Sequence, residues 1–393
     1  PPPPSNKFFF NDTATTEIYT PQHSSAASDV YKRQGRVMTI CNACRYCEGF
    51  CALFPAMELR RTFTEGDLKY LANLCHNCRD CYYACQYAPP HDFDLNFPKA
   101  MAELRQETYG EFAWPRSAQG LFTRNGLTLF LITLLSIAAV YLTTLVARGH
   151  ETIFGVYTGP GSFYEIVPYL SMIVPYTLIA IWAMFAFWKG IQTFWKEMQV
   201  TNENLASGSG NRGAIWDVLR LKYLDGGGHG CNYPDDRFST IRRTMHHLVF
   251  YGFMGCLAAT TVAAIYDHVF HWPAPYPYFS LPVVLGTVGG VLIVIGTVGM
   301  LVLKSKMDRR PYNADSAGMD LGFINLLLLT SLSGLLLLVF RETSAMGILL
   351  IVHLGLVLAF FITMPLGKFV HGIYRYIALL RHNQEQANAV EDH

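Results

Sequence analysis

Six long apolar segments constrain the fold of this chain more than any other feature of its sequence. They are residues 127–146, 166–188, 247–266, 281–303, 321–340 and 345–364. Each can cross the hydrocarbon core of a bilayer, about 30 Å thick, as a helix of about 20 residues. Because unpaired backbone polar groups are too costly in lipid, segments of this kind must be helical. With 51% hydrophobic and 15% charged residues, the sequence predicts a mainly α protein built on a six-helix transmembrane bundle.

Basic residues are distributed unevenly over the connections between these segments. One side receives Arg116, Arg124, Lys189, Lys196, Arg212, Arg220, Lys222, Arg237, Arg242, Arg243, Lys304, Lys306, Arg309, Arg310, Lys368, Arg375 and Arg381, and the other side receives Arg148 and Arg341. Short cytoplasmic loops carry the excess of Lys and Arg. We therefore expect a multi-pass protein of the cytoplasmic (inner) membrane, with both termini in the cytoplasm. The formal net charge of +1 identifies no partner, and we expect no nucleic acid.

Two runs of four cysteines with identical spacing precede the first apolar segment. The first is Cys41, Cys44, Cys47 and Cys51, and the second is Cys75, Cys78, Cys81 and Cys85, both C-x2-C-x2-C-x3-C. Three thiolates at this spacing can wrap a cubane cluster, and in two-cluster ferredoxins the fourth cysteine of each run binds the other cluster. We therefore predict two 4Fe-4S clusters in a ferredoxin-like domain over residues 36–118, with Cys85 completing the first cluster and Cys51 the second. Thr64–Leu71 is predicted to begin one of its helices.

Two other interpretations of the chain are open. Structural zinc is the alternative for the cysteines, although four-cysteine zinc sites usually consist of two separated pairs. Thiols this close together form a poor disulfide framework and point to a reducing compartment.

A transporter regulated by clusters is a further alternative. Ion pathways usually contain paired charges within the membrane, and we identify none within the apolar segments.

Histidines near the ends of the third and sixth apolar segments suggest haem. They are His246, His247, His268, His271, His353 and His371. In a continuous sixth helix, His353 and His371 would lie five turns apart on one face. Haem iron takes axial ligands from facing elements. We therefore predict one or two b-type haems, with His246 or His247 facing His371, and His268 or His271 facing His353.

The ends of the chain and its one long loop need separate treatment. Residues 11–19 have the sequence that a common sequencing adapter would encode, so we expect residues 1–35 to be non-native, with Met38 as a candidate start. A membrane domain is predicted over residues 119–382 and a cytoplasmic tail over residues 383–393. The loop from about 189 to 245 contains the glycine-rich stretch 225–234, which predicts either a docking surface for the cysteine domain or a flexible turn.

The cysteine runs, the six apolar segments and the stretch Arg242-Arg243-Thr244-Met245-His246-His247 together resemble the tricarballylate-utilisation protein B family, from about residue 38 to the C-terminus. The resemblance implies a partner FAD-dependent dehydrogenase that converts tricarballylate to cis-aconitate. It also implies that electrons pass through the clusters and haem to the quinone pool.

The chain shows no Rossmann glycine fingerprint or P-loop, so we expect it to be the electron-transfer component of an oxidoreductase whose substrate chemistry takes place on the partner. The arrangement of segments is also similar to the membrane subunits of nitrate and heterodisulfide reductases, which is the alternative assignment.

Overall fold

The computed structural model describes residues 25–123, 125–198 and 208–391, which are mainly helical. The α-helices are α1 Ser25–Cys44, α2 Leu53–Glu58, α3 Glu65–Leu74, α4 Asp80–Tyr83, α5 Phe97–Glu111, α6 Gly120–Thr123, α7 Asn125–Arg148, α8 His150–Ile153, α9 Ser162–Ile166, α10 Tyr169–Glu197, α11 Gly208–Leu219, α12 Ile241–His268, α13 Leu281–Lys306, α14 Ala317–Phe340, α15 Met346–Thr363 and α16 Val370–Glu391. Strands β1 Cys231–Asn232 and β2 Phe238–Ser239 form one antiparallel pair. Short 3-10 turns lie at Arg116–Gln119, Lys222–Leu224, Gly226–Gly228, Ala314–Ser316 and Met364–Leu366. The mainly α prediction is confirmed.

Six helices are long and apolar enough to cross a membrane: α7, α10, α12, α13, α14 and α15. They coincide with the six predicted segments. Their connections on the face away from the cysteine domain contact one another, because Gly161 N–H donates to the Ala274 carbonyl at 2.9 Å and Arg341 donates to the Tyr276 carbonyl at 2.6 Å. The helices therefore run alternately between this far face and the face that carries the cysteine domain.

Helices α12 and α13 approach each other closely through glycines. A Cβ atom on Gly252 would lie 2.7 Å from the Gly289 carbonyl oxygen, and a Cβ on Gly289 would lie 2.7 Å from the Gly252 carbonyl oxygen. Small residues at a helix interface let backbones approach, which is how helices commonly associate where no hydrophobic effect drives them together. This glycine contact sets the distance between the two helices.

The sixth span is interrupted on the side of the cysteine domain. Helix α15 ends at Thr363, a 3-10 turn follows at Met364–Leu366, and α16 begins at Val370. Pro365 lies in this turn, and proline has no N–H to continue a helix. The prediction that His353 and His371 share one face of a continuous helix is therefore wrong.

The cysteine domain is built around short helices with defined ends. Thr64 accepts a hydrogen bond from Asp67 N–H, and the Asp67 side chain accepts one from Thr64 N–H, so α3 begins with a capping box. This confirms the predicted helix start. Helix α1 begins at Ser25 and crosses the predicted domain boundary at residue 35. The Tyr31 side chain is buried and donates to Glu111 at 2.9 Å. Residues 1–24 of the predicted non-native segment lie outside the described residues.

Two segments fix the cysteine domain to the bundle. Helix α16 continues through the predicted tail as far as Glu391, and the Arg60 guanidinium of the cysteine domain forms an ion pair with Glu385. The glycine-rich loop docks from another direction, because Asn232 N–H donates to Asp80 at 2.8 Å. A Cβ on Gly227 would lie 2.8 Å from the Gly49 carbonyl oxygen. Of the two interpretations of this loop, the docking surface is the correct one.

Candidate electron-transfer sites

The first cysteine run lines a cavity together with the last cysteine of the second run. The cavity has a volume of about 200 Å³ and is lined by Cys41, Cys44, Cys47 and Cys85. Cys81 also forms part of its wall. Most of the remaining wall is apolar and includes Phe54, Leu95 and Phe97. The chain therefore brings together the four thiols predicted for one cluster, including the exchanged fourth cysteine.

The thiols within each predicted set act electrostatically on one another. Burial raises the pKa of Cys47 to about 12, and the thiols of Cys85 and Cys44 add to the shift. Burial also raises the pKa of Cys51 to about 12, with a further contribution from Cys75. Crowded thiolates repel one another, and a cationic iron core would offset that repulsion. The members of each predicted set therefore lie close enough to interact with one another.

The described residues contain no group of three or more His, Cys, Asp or Glu side chains arranged to hold a single metal ion. The thiols of the first set lie instead around the cavity described above. A cubane cluster, which spreads its ligands around four irons, needs such a cavity.

The second set is more deeply buried than the first and has an additional neighbour. Cys75, Cys78 and Cys81 are all buried. Cys78 packs in one buried cluster with Cys231 of the docked loop, and interaction with the Cys231 thiol, together with burial, raises the pKa of Cys78 well above its usual value. No spacing in the sequence connects Cys231 with the cysteine runs. The glycine-rich stretch around it was the available signal, since that stretch allows the loop to approach the second run.

The structure places two of the predicted haem ligands face to face. The rings of His246 on α12 and His371 on α16 have centroids 6.1 Å apart and planes inclined by 78°. Two imidazoles bound to one metal through bonds of about 2.0–2.1 Å have ring centres roughly 6 Å apart. Nδ1 of His371 donates to the Lys368 carbonyl at 2.5 Å, which leaves Nε2 available as a ligand. The separation of these two rings therefore matches that of two imidazoles on one metal ion.

The other predicted ligands are placed differently. His247 stacks on Tyr251 with ring centroids 5.7 Å apart. His268 is exposed, and its Nδ1 lies 3.2 Å from the Tyr169 hydroxyl. His271 is exposed in the loop after α12. The structure does not bring any of these three to a facing histidine.

His353 lies in a separate, mostly apolar cavity inside the bundle. The cavity has a volume of about 470 Å³, and neither His268 nor His271 lines it. Nδ1 of His353 is 3.0 Å from the Ser333 hydroxyl, and its ring packs against Gly334. The predicted pairing of His353 with His268 or His271 is therefore not found in the structure.

His246 and His371 share their cavity, of about 170 Å³, with an unusual number of basic side chains. These are Arg79, Arg105, Arg242, Lys304, Lys368 and Arg375. Asp320 lies among them and pairs with Lys304 at 2.7 Å and Lys368 at 2.8 Å. In the sequence, most of these residues serve only as signals of orientation. The ion-pair group of Lys304, Asp320 and Lys368 is not visible there, because its members come from α13, α14 and the turn before α16.

These features define a class of protein in which a ferredoxin-like domain is fixed to a six-helix membrane bundle. Residues 34–111 match the family model described as the citrate utilization protein B Fer4-like domain, and residues 120–392 match the model for citrate utilization protein B. The chain is 48% identical over 350 residues to citrate utilization protein B of Escherichia coli, a match covering 88% of this chain and 90% of that protein.

The chain belongs to the citrate utilization protein B family. This confirms the family resemblance drawn from the cysteine runs and apolar segments, although the family's name refers to citrate and not to tricarballylate. No solved structure matches the chain.

Proposed function

We propose that this protein carries electrons from a partner FAD-dependent dehydrogenase to the quinone pool, through two 4Fe-4S clusters and one b-type haem. The observation that carries the proposal is the contact between the second cysteine run and the cavity of His246 and His371. Arg375 lines that cavity and donates to the Cys75 carbonyl at 2.8 Å. A redox group held by the two histidines would therefore adjoin the second cluster.

The two cysteine runs differ in their access to solvent, which supports a direction of transfer. The first run is partly exposed, and Tyr46 within it is 70% exposed. The cysteines of the second run nearest the bundle, Cys75 and Cys78, are buried. Electrons from a soluble partner would enter at the first run and leave through the second toward the membrane domain.

Iron–sulfur clusters and haem supply one-electron chemistry, while the protein determines their position, ligands and surroundings. The eight cysteines of the two runs hold the clusters in this proposal, and His246 and His371 hold the haem. A flavin reduced by two electrons can pass them singly to such carriers, so a flavoprotein suits the role of donor.

The cavity around His353 supports quinone as the acceptor. It lies between spans, is mostly apolar, and its volume of about 470 Å³ lies within the range of ligand pockets, about 300–1,000 Å³. Leu327 lines both this cavity and the one containing His246 and His371, so the two cavities are neighbours.

The identity of the donor comes from resemblance. The family resemblance implies tricarballylate dehydrogenase as the partner, and the name of the E. coli relative refers to citrate utilization. Tricarballylate and citrate are both tricarboxylates, so the partner is proposed to act on a tricarboxylate. A membrane subunit of another oxidoreductase, of the nitrate or heterodisulfide reductase kind, is the alternative.

An anaerobic optical spectrum of the detergent-purified protein, before and after dithionite, tests the proposal. We expect a broad absorbance at about 400 nm that bleaches on reduction, together with sharp bands of the reduced protein at about 560 nm. Bleaching without the sharp bands would remove the haem from the proposal. A colourless protein with stoichiometric zinc and no acid-labile sulfide would overturn electron transfer altogether.

A further inference from the structure

The two cysteine runs carry an arginine at the same position, and the structure gives the two arginines opposite environments. Arg45 and Arg79 both lie one residue after the second cysteine of their run, with φ of 56° and 74°. Arg45 is exposed and donates to the Asn42 carbonyl. Arg79 is 1% exposed, donates to the Asp308 carbonyl at 3.0 Å and lies over the Tyr233 ring. A cation is therefore buried beside the second run only.

Three more arginines hold the backbone of the second run. Arg105 on α5 donates to the Cys75 carbonyl at 2.5 Å, and Arg375 on α16 donates to the same carbonyl at 2.8 Å. Arg242 on α12 donates to the Asn77 carbonyl at 2.6 Å. The guanidinium groups of two membrane-domain helices and one cysteine-domain helix thus meet at one loop. Together with Arg79, these residues form an arginine cluster: Arg79, Arg105, Arg242 and Arg375.

Among the residues that the structure describes, none of these four arginines forms an ion pair; their hydrogen bonds go to backbone carbonyls and, for Arg79, also to the Met307 sulfur. The carboxylates of Asp308 and Asp80 act on Arg79 and Arg242 without a direct contact. Burying a cation without a counter-charge is costly. A 4Fe-4S cluster with four thiolate ligands is an anion, and it becomes more negative when it takes up an electron. Nearby cations therefore stabilise its reduced form more than its oxidised form, and net charge is one determinant of cluster potential.

The nearby carboxylate does not cancel the difference between the two runs. Asp80 interacts electrostatically with Cys47 of the first set and with Cys51 and Cys78 of the second. Its single charge acts on both clusters and most strongly on Cys78 of the second, where it is outnumbered by the four arginines. The cavity wall of the first cluster, by contrast, contains no Lys or Arg.

We propose that the arginine cluster raises the reduction potential of the second cluster above that of the first, so that electrons entering at the first run move toward the membrane domain. The arginines are positioning residues in this inference: they bind the loop that carries Cys75, Cys78 and Cys81 and set the charge around it. The inference deepens the proposed function and rests on its two clusters.

An anaerobic redox titration of the full-length, detergent-purified protein, followed by electron paramagnetic resonance, tests the inference. Cys85→Ser and Cys51→Ser assign the signals to the first and second clusters. Arg375→Gln is expected to lower the midpoint potential of the second cluster and to leave the first unchanged, whereas Arg375→Lys, which keeps the charge, is expected to retain most of the wild-type value.

Arg79→Gln and Arg45→Gln form a matched pair, since they change the same position of the two runs. We expect Arg79→Gln to lower the potential of the second cluster, and Arg45→Gln to shift the first cluster by much less, because its exposed charge is screened by solvent. If Arg375→Gln does not retain the second cluster, Arg242→Gln, which acts from a different helix, decides the question by the same titration.

Equal potentials for the two wild-type clusters would overturn the inference, as would equal shifts of both clusters in the Arg375 or Arg242 variant. Such results would leave the proposed function intact, because both clusters would still be present and reducible. Absence of iron and acid-labile sulfide would instead remove the proposed function itself.

Discussion

Cys85 is separated by 34 residues from the nearest cysteine of the first run, yet it lines the same cavity as Cys41, Cys44 and Cys47. The spacing of the two runs predicts this exchange because it is the spacing of two-cluster ferredoxins, in which the fourth cysteine of each run binds the other cluster. Cys231, in contrast, has no neighbouring cysteine in the sequence. Only the docking of its loop brings it to Cys78.

Cys85→Ser should remove the first cluster and leave the second. The reason is that Cys85 completes the set of the first run although it belongs to the second run in sequence. We expect iron and acid-labile sulfide to fall by about half, and the remaining paramagnetic signal to match that of Cys44→Ser. A remaining signal that matches that of Cys78→Ser would show instead that each run binds its own cluster.

His246 and His371 should both be needed for haem, because each supplies one side of a bis-histidine site. His246→Leu or His371→Leu is expected to abolish the bands of the reduced protein at about 560 nm, while the clusters remain. His247→Leu and His268→Leu are the controls and should keep the haem, since neither side chain faces another histidine. Haem loss in His268→Leu with retention in His371→Leu would refute this assignment.

At the scale of helices, the contact between α12 and α13 depends on the absence of side chains at two glycines. Gly252→Ala places a Cβ 2.7 Å from the Gly289 carbonyl oxygen and 2.9 Å from Ile293, so the helices must separate. Overpacking of this kind typically costs about 1–3 kcal/mol. We expect a lower midpoint of thermal unfolding in detergent, measured by loss of helical circular dichroism.

Gly286→Ala is the matched control on the same helix pair, since its Cβ would lie 3.6 Å from the Ala259 Cβ, an ordinary contact distance. The control should unfold close to the wild-type temperature. If both variants unfold at the same temperature, close backbone approach is not what limits this interface.

The break between α15 and α16 shows how one short turn changes a functional prediction. Counting turns along a continuous helix placed His353 and His371 on one face. Pro365 lies in the turn that ends α15, and α16 then starts in a new register against α11 and α3. As a result, His371 meets His246 while His353 stays in a separate cavity.

At the scale of the whole molecule, the distribution of basic residues predicts that the cysteine domain and the C-terminus lie in the cytoplasm. A green fluorescent protein fused to the C-terminus should therefore fluoresce in E. coli. Alkaline phosphatase fused after residue 342, in the connection between α14 and α15, should be active because this connection is expected on the opposite side. The reverse pattern of the two reporters would invert the topology and place the cysteine domain outside the cytoplasm.

The sequence alone determined the helical class and the six spans, and it predicted the two sets of cysteine ligands. Each of these follows from a local pattern: the length of an apolar segment needed to cross lipid, or the spacing of thiols within one loop. It also indicated which histidines to consider, but not which of them meet.

The tertiary structure decided the pairing of His246 with His371, the isolation of His353, and the meeting of four arginines at the second cysteine run. Arg105, Arg242 and Arg375 belong to three helices that are distant in sequence, and no periodicity within one helix encodes their convergence. Their positions depend on how α16 leaves the bundle and how the cysteine domain docks on it. Contacts of this kind result from the packing of surfaces that only the complete fold creates.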